Sequence, residues 1–196
     1  MNEGHQDQTD GTGPPKLADE DKQNLLRLAR QTLVDFTRAG ETPDCATDSP
    51  ALLEHRAAFV TLTQRATREL RGCRGEVVAR QPLIESVVNM AVASATDDPR
   101  FPPITPDEIP GLHIEISVLT PMRPILPEDV VVGKHGLVIE KGQQAGLLLP
   151  QVPVEWEWDR EEFLDSVCRK AGLPPGTWKD PDAELLGFEC EVWGEE

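Results

Sequence analysis

The stretch Leu70-Arg71-Gly72-Cys73-Arg74-Gly75 decides how we interpret the fold of this chain. It follows the strand-like run Phe59-Val60-Thr61-Leu62-Thr63, and it places a thiol and two guanidinium groups among two glycines. Glycine adopts a positive φ without strain and lets another group approach the backbone closely. A strand that runs into such a segment sets side chains and backbone N–H groups into a cleft. The sequence therefore predicts a tight turn at the two glycines, beside a cleft that contains the thiol.

The hexapeptide resembles Leu-Arg-Gly-Cys-Ile-Gly, the signature of the AMMECR domain family, with Arg74 in place of the isoleucine. The resemblance extends from about Leu25 to Trp193, on boundaries good to a few residues. Further motifs occur in the family's order: Phe59-Val60-Thr61-Leu62, Asp98-Pro99-Arg100-Phe101-Pro102-Pro103, Ser117-Val118-Leu119-Thr120-Pro121, Val132-Gly133-Lys134-His135-Gly136-Leu137, Gly146-Leu147-Leu148-Leu149-Pro150-Gln151-Val152 with Trp158-Asp159, Phe163-Leu164, and Cys168-Arg169-Lys170-Ala171-Gly172-Leu173. Seven motifs in order identify the chain as similar to this family over nearly its whole length.

The resemblance implies an α+β fold of two unequal lobes. The lobes are expected to be built from a duplicated strand-and-helix unit around a mostly antiparallel, barrel-like sheet flanked by helices. It also implies a role as component A of the AmmeMemoRadiSam system of prokaryotes. The expected partners are therefore Memo-type proteins of the extradiol-dioxygenase fold and radical S-adenosylmethionine enzymes. The family has no agreed reaction, so the resemblance implies neither a substrate nor a cofactor.

Composition is that of an ordinary globular domain, since 38% of the 196 residues are hydrophobic and 28% are charged. The formal net charge of −16 argues against nucleic acid as a partner, because phosphate binding needs a basic surface. Acidity on this scale also repels anionic membranes. No apolar run reaches the ~20 residues of a membrane helix, and the N-terminus lacks the pattern of a signal peptide. We predict a cytoplasmic protein with a disordered tail over residues 1–17 and one domain over residues 18–196.

Local periodicity supports the α+β class without the family. Strands and helices mix without regular βαβ alternation, which favours α+β over a doubly wound sheet. The clearest strand alternates from Leu112 to Val118. The predicted helices are Asp19 to Ala39, Pro82 to about Ala95, and one that starts at Asp159 with Glu162. The other predicted strands are Ala58 to Thr63, one near Glu69, Val130 to Val132, Leu137 to Glu140, Ala145 to Leu149, and Leu186 to Val192.

Cys73 is the first candidate catalytic residue, because Arg71 and Arg74 beside it would favour the thiolate form. The alternative is a small side chain that fills a pocket under a turn. His135 is the second candidate, as a general base on a glycine-flexed loop. Its alternative is a ring that only satisfies local backbone groups.

The candidate binding residues are Arg71, Gly72, Gly75, Asp98, Arg100 and Gln151. Arg71 could hold a carboxylate or phosphate in bidentate fashion, or pair with one of the chain's own acids. Asp98 and Arg100 could pin their loop as an ion pair, or Arg100 could line the cleft. Gln151 could offer an amide to a ligand or satisfy a strand end.

The four widely spaced cysteines are expected to be free thiols in a reducing cytosol. Without a Cys-x-x-Cys pair or a Cys/His cluster, no metal site is predicted. Cys168 and Cys190 are expected in the core and Cys45 in an exposed linker. Two functions remain open: a partner or small-molecule binding module around Cys73, or a cysteine-dependent enzyme that uses Cys73 with His135.

Overall fold

The computed structural model describes residues 16–196. Most of the predicted disordered tail, residues 1–15, therefore lies outside the described residues. Leu17, which the prediction placed in the tail, is buried in the first core cluster. None of the described helices is long and apolar enough to cross a membrane.

Residues 16–196 contain five α-helices, and the three longest each bury an apolar stripe. The longest ends as predicted, since Gly40 adopts the left-handed conformation at φ 71° and its N–H donates to the Phe36 carbonyl oxygen at 2.8 Å. The helices are α1 (Asp19–Ala39), α2 (Pro50–Leu53), α3 (Leu83–Thr96), α4 (Gln151–Glu155) and α5 (Arg160–Lys170). Single 3-10 turns cover Ile109–Gly111, Pro127–Asp129 and Thr177–Lys179.

Within the described part of the chain, eight strands make two four-stranded antiparallel sheets, which confirms the α+β class. The first sheet has the order β2-β1-β3-β8 and the second has β4-β7-β5-β6. The strands are β1 (Ala58–Gln64), β2 (Leu70–Gly75), β3 (Leu112–Leu119), β4 (Arg123–Pro124), β5 (Gly136–Lys141), β6 (Gln144–Leu148), β7 (Glu184–Phe188) and β8 (Cys190–Gly194). Neither sheet closes into a barrel within residues 16–196, so the barrel-like description is not supported.

Helices α1 and α3 cover one face of the first sheet. Val60 and Leu62 of β1 and Ile114 and Ile116 of β3 point to that face and are fully buried. Their alternation with half-buried residues is the period of two that the sequence showed. This cluster is the larger hydrophobic core of the chain.

Helix α5 covers one face of the second sheet. It begins at Asp159, as predicted, with a capping box in which the Asp159 carboxylate accepts from the Glu162 N–H and the Glu162 carboxylate accepts from the Asp159 N–H, both at 2.9 Å. Phe163 and Leu164 of the helix are buried against Leu137 and Ile139 of β5. The second core is therefore built from one helix and one sheet.

A third, smaller apolar cluster joins the two sheets. It contains Ala57 and Leu119 from the ends of the first sheet, and Val138 and Phe188 from the second. Phe59 of β1 packs against it as a partly buried side chain. This third cluster lies on the face of the first sheet that α1 and α3 leave uncovered, because Phe59 alternates with the helix-facing residues of β1.

Two strand predictions were wrong. Val130–Val132 is not a strand, since a 3-10 turn precedes it and the Val131 carbonyl oxygen accepts from the His135 N–H to close a turn. The single strand expected over Leu186–Val192 is two strands that belong to different sheets. The chain crosses between the sheets at Glu189, whose N–H and carbonyl oxygen both bond to Thr120 at 2.8 Å.

Candidate functional site

The hexapeptide is an edge strand rather than a turn. It forms β2, which pairs with β1 on one side only. Leu62 lies opposite Gly72 and Thr63 opposite Leu70, so Arg71 is the extra residue of a β-bulge. The bulge turns Arg71 away from the regular alternation of the strand and towards the loop that follows α3.

The two glycines serve close packing, and neither has a positive φ. A Cβ on Gly72 would lie 2.2 Å from the Ser94 carbonyl oxygen of α3, and a Cβ on Gly75 would lie 2.1 Å from the Phe59 ring. Helix α3 therefore packs against one face of β2, and the Phe59 ring packs against the other. The expectation of close approach is confirmed, whereas the expectation of a turn conformation is wrong.

Arg71 is fully engaged inside the protein. Its Nε and Nη2 donate to the two carboxylate oxygens of Glu108 at 2.8 and 3.1 Å, and its Nη1 donates to the Pro102 carbonyl oxygen at 3.0 Å. Its side chain is 10% exposed. The guanidinium lowers the pKa of Glu108 chiefly through these hydrogen bonds. Arg71 thus ties the loop to the edge strand and has little surface left for a ligand.

Asp98 connects the same loop to Cys73. Its carboxylate accepts from the Cys73 backbone N–H at 2.8 Å, and from Nε and Nη2 of Arg100 at 2.9 and 2.7 Å. The Arg100 hydrogen bonds are the main reason that the pKa of Asp98 lies well below its usual range. The Arg100 side chain nevertheless stays 55% exposed. Asp98 is therefore a fixed anion that orients an accessible cation.

The Cys73 side chain lies on the uncovered face of the first sheet. Cys73 pairs with Thr61, which pairs in turn with Glu115, so the three share one row across the sheet. The Cys73 Sγ is 3.3 Å from the Thr61 Oγ1. Arg74 pairs with buried Val60 and so belongs to the opposite, helix-covered face.

The cation beside the thiol is Arg100 rather than Arg74. The hydrogen bonds that Arg100 donates to Asp98 are the first cause of the raised pKa of Arg100, and the charge of the nearby Cys73 acts in the same direction. The prediction that Arg71 and Arg74 flank the sulfur is therefore replaced by one exposed guanidinium. Cys73 and Thr61 therefore share one face of the sheet, and Asp98 holds Arg100 beside the edge strand at Cys73.

His135 belongs to a different place in the molecule. It precedes β5 of the second sheet, and its Nδ1 accepts the Val131 N–H at 3.1 Å. Because a backbone N–H can only donate, the neutral ring carries its proton on Nε2, which lies 4.0 Å from the Glu189 carboxylate. Burial is the main cause that lowers the pKa of His135. The ring lines a cavity of about 260 Å³ with Arg123 and Phe188.

The last candidate binding residue, Gln151, lies apart from the Cys73 group. Gln151 is the first residue of α4, is exposed, and shares no hydrogen bond with the Cys73 group. Within residues 16–196 no hydrogen bond joins Cys73 to His135, and no three metal-ligating side chains lie together. The structure thus brings Arg71, Gly72, Cys73, Asp98 and Arg100 into one group.

Of the other three cysteines, Cys45 and Cys190 are partly buried, like Cys73, and Cys168 is buried. Cys168 is fully buried, as predicted, and Cys190 is partly buried between the sheets. Cys45 is not in an exposed linker, because it packs against the first core and burial is the first cause of its raised pKa. Burial also raises the pKa of Cys190 to about 11.

Sequence reasoning missed Glu108 and Ser94 as members of the site. Thr105 and Glu108 have the spacing of a capping box, and the Glu108 carboxylate accepts the Thr105 N–H at 2.8 Å. Its second role, as the acceptor for Arg71, has no signal in local spacing. The Ser94 Oγ donates to the Val60 carbonyl oxygen at 2.7 Å and accepts the Arg74 N–H at 2.9 Å.

Similar proteins cover nearly the whole chain. A family model described as AMMECR1 matches residues 26–193. A protein of Thermococcus gammatolerans is 45% identical over 191 residues, which are 92% of this chain and 93% of the relative. Protein TK0174 of Thermococcus kodakarensis is 44% identical over the same shares. The crystal structure of the uncharacterized protein PH0010 from Pyrococcus horikoshii is 43% identical, with a TM-score of 0.80 over 93% of this chain and 95% of that one.

Proposed function

Because this chain belongs to the AMMECR1 family, we propose that it is a binding module whose cleft beside Cys73 holds a protein partner or a small molecule. We further propose that it acts as one component of a larger modifying system in the cytoplasm. Its partners in that system are Memo-type and radical S-adenosylmethionine proteins, as the resemblance to the AmmeMemoRadiSam component implies. The family resemblance supports the choice of partners, and the geometry of the site supports binding over catalysis.

The observation that carries the proposal is that the lone pair of the neutral His135 ring already accepts a backbone hydrogen bond. A general base must offer a free lone pair within hydrogen-bond reach of the proton that it removes. The lone pair of His135 is on Nδ1 and already accepts the Val131 N–H. Cys73 has the Thr61 hydroxyl as its neighbour and no imidazole partner within residues 16–196. A catalytic Cys-His pair would require both residues to give up these contacts.

Arg100 is the group that recognises the bound molecule. Asp98 holds its Nε and Nη2, which lowers the entropy cost of ordering the side chain when a ligand binds. The remaining guanidinium N–H groups have no partner among the described residues and are exposed to solvent. They suit a carboxylate or phosphate of the partner, since charge-assisted hydrogen bonds are the stronger class. Phe101 beside the guanidinium adds an apolar surface.

Calorimetric titration with the Memo-type and radical S-adenosylmethionine proteins of the same genome tests this function. Arg100→Ala should weaken binding at least 10-fold, and Thr61→Trp should block the face beside Cys73. Arg38→Ala, at an exposed arginine of α1, is the matched control and should bind like the unaltered chain. Equal affinity of the Arg100→Ala and Arg38→Ala variants, or no binding by the unaltered chain, would reject the proposal.

Two further variants separate binding from the alternative, a cysteine-dependent enzyme that uses Cys73 with His135. Cys73→Ser preserves the size of the side chain and removes the nucleophile, while His135→Asn removes the base. A binding module retains partner affinity in both variants. If either substitution abolishes turnover of a substrate by the assembled system while the complex still forms, the enzyme alternative is correct.

A further inference from the structure

Arg56 is buried with part of its guanidinium unpartnered. The residue directly precedes the first sheet and its side chain is 2% exposed. Its Nη2 donates to a Glu191 carboxylate oxygen at 3.1 Å. Its Nε and Nη1 are buried and have no hydrogen-bond partner within residues 16–196. Buried donors in folded proteins nearly always have an acceptor, so these two unpartnered N–H groups call for one.

The charges around Arg56 do not balance. Glu191 is the acceptor for Arg56 and also lies 3.6 Å from the Lys22 Nζ, so two cations share one carboxylate. The same carboxylate accepts the Leu17 backbone N–H at 3.3 Å. One further negative charge would neutralise the group, because buried charges are stable when they are paired.

A cavity of about 290 Å³ adjoins this arginine. Arg56 lines it together with apolar side chains, among them Ala57, Leu119 and Met122. Val77 and Val78 form another part of the wall; they lie outside any helix or strand and are 38% and 52% exposed. His55 and Thr120 add polar side chains to the lining. The volume is at the small end of the range for ligand pockets, which suits a metabolite of a few carbon atoms.

We propose that this cavity binds a small monocarboxylate with a short aliphatic body. The carboxylate accepts from the unpartnered N–H groups of Arg56, and the aliphatic part packs against Leu119 and Met122. Because the orphaned nitrogens are closed to solvent in this conformation, the cavity wall beside Arg56 must move when the carboxylate binds. The site is separate from the Cys73 group and goes beyond the proposed partner binding.

Thermal-shift and calorimetric titrations of the full chain with acetate, butyrate and hexanoate test the site. Butyramide is the neutral analogue of butyrate, and inorganic phosphate is the anion without an apolar body. We expect butyrate to bind at least 10-fold more tightly than butyramide or phosphate. Equal binding of butyrate and butyramide would mean an apolar cavity without an anion site. Preference for phosphate, or no binding of any of the carboxylates, would also overturn the proposal.

Two variants locate the binding. Arg56→Lys keeps the cation beside Glu191 and removes the orphaned donors, and it should weaken butyrate binding at least 10-fold. If that variant does not fold, Ala79→Trp still decides the question. Ala79 lines the cavity and is exposed, so a tryptophan there closes the cavity without removing a core contact. Ala39→Trp, at the exposed end of α1, is the matched control and should bind butyrate normally. Normal binding by Ala79→Trp would place the ligand elsewhere.

Discussion

Replacing Gly72 by alanine tests the packing that holds the candidate site. The new Cβ would lie 2.2 Å from the Ser94 carbonyl oxygen and 3.2 Å from the Ser94 carbonyl carbon, and both are backbone atoms. An ordinary contact needs more than 3 Å, so the end of α3 must move away from β2 by about 1 Å. That movement strains the two hydrogen bonds of the Ser94 Oγ, to the Val60 carbonyl oxygen and from the Arg74 N–H.

The expected loss of stability comes from two terms. Overpacking in a close-packed interior costs about 1–3 kcal/mol. Weakening the buried hydrogen bonds of Ser94 adds about 1–3 kcal/mol. The lower entropy of the unfolded alanine chain returns about 0.4–1 kcal/mol. Gly72→Ala should therefore lower the free energy of unfolding by about 3 kcal/mol, which for a chain of this size lowers the Tm by about 6–12 °C.

Urea unfolding followed by tryptophan fluorescence measures this loss, and Gly111→Ala is the matched control. A Cβ on Gly111 meets nothing within 4 Å, and its φ is not positive. The control should stay within about 0.5 kcal/mol of the unaltered chain. A Gly72→Ala variant that loses less than 1 kcal/mol would show that α3 does not pack closely on β2, and the account of the site would then be wrong.

Three further predictions concern ionisable groups. Asp98→Asn should lower the free energy of unfolding by about 2–3 kcal/mol at pH 7, since the two charge-assisted hydrogen bonds from Arg100 are replaced by at most one to a neutral amide oxygen. Because the pKa of Asp98 is depressed in the folded state, the difference in unfolding free energy between the variant and the unaltered chain should be complete above about pH 4 and shrink as the pH falls below it. An unchanged difference at pH 2 would contradict the ion pair between Asp98 and Arg100. NMR titration of His135 should show a pKa below 6.5, since burial disfavours the imidazolium. The neutral ring should carry its proton on Nε2, because Nδ1 accepts the Val131 N–H. A pKa above 6.5 would contradict the burial of the ring. Iodoacetamide at pH 8 should modify Cys73 at least 10-fold faster than Cys190, because burial raises the pKa of Cys190 to about 11 and leaves only about 0.1% of that thiol as thiolate; equal rates by peptide mass spectrometry would contradict this.

Local sequence patterns were sufficient for most of the helices and strands. The bounds of α1, the alternation of β3 and the capping box at Asp159 all follow from residues within a few positions of one another. Periods of 3.6 and 2 residues arise from the geometry of a single element, so they are visible before the element meets any neighbour. The family resemblance identified the hexapeptide as important, and the family comparison confirmed the resemblance.

Tertiary structure decided what the hexapeptide does. In isolation its glycines indicated a turn, but α3 packs on Gly72 and the Phe59 ring packs on Gly75, so the segment is stable as a strand. The bulge at Arg71 and the single neighbour strand of β2 then determined which side chains share a face, and they separated Arg74 from Cys73.

The partners of the charged groups were also beyond the reach of the sequence. Arg71 meets Glu108 across 37 positions, and Arg56 meets Glu191 across 135. The division of β7 from β8 at Glu189 depends in the same way on distant Thr120. An acidic chain offers many carboxylates to each arginine, and no local pattern selects one of them. The choice is made by which surfaces pack together, because only burial distinguishes a paired charge from a solvated one.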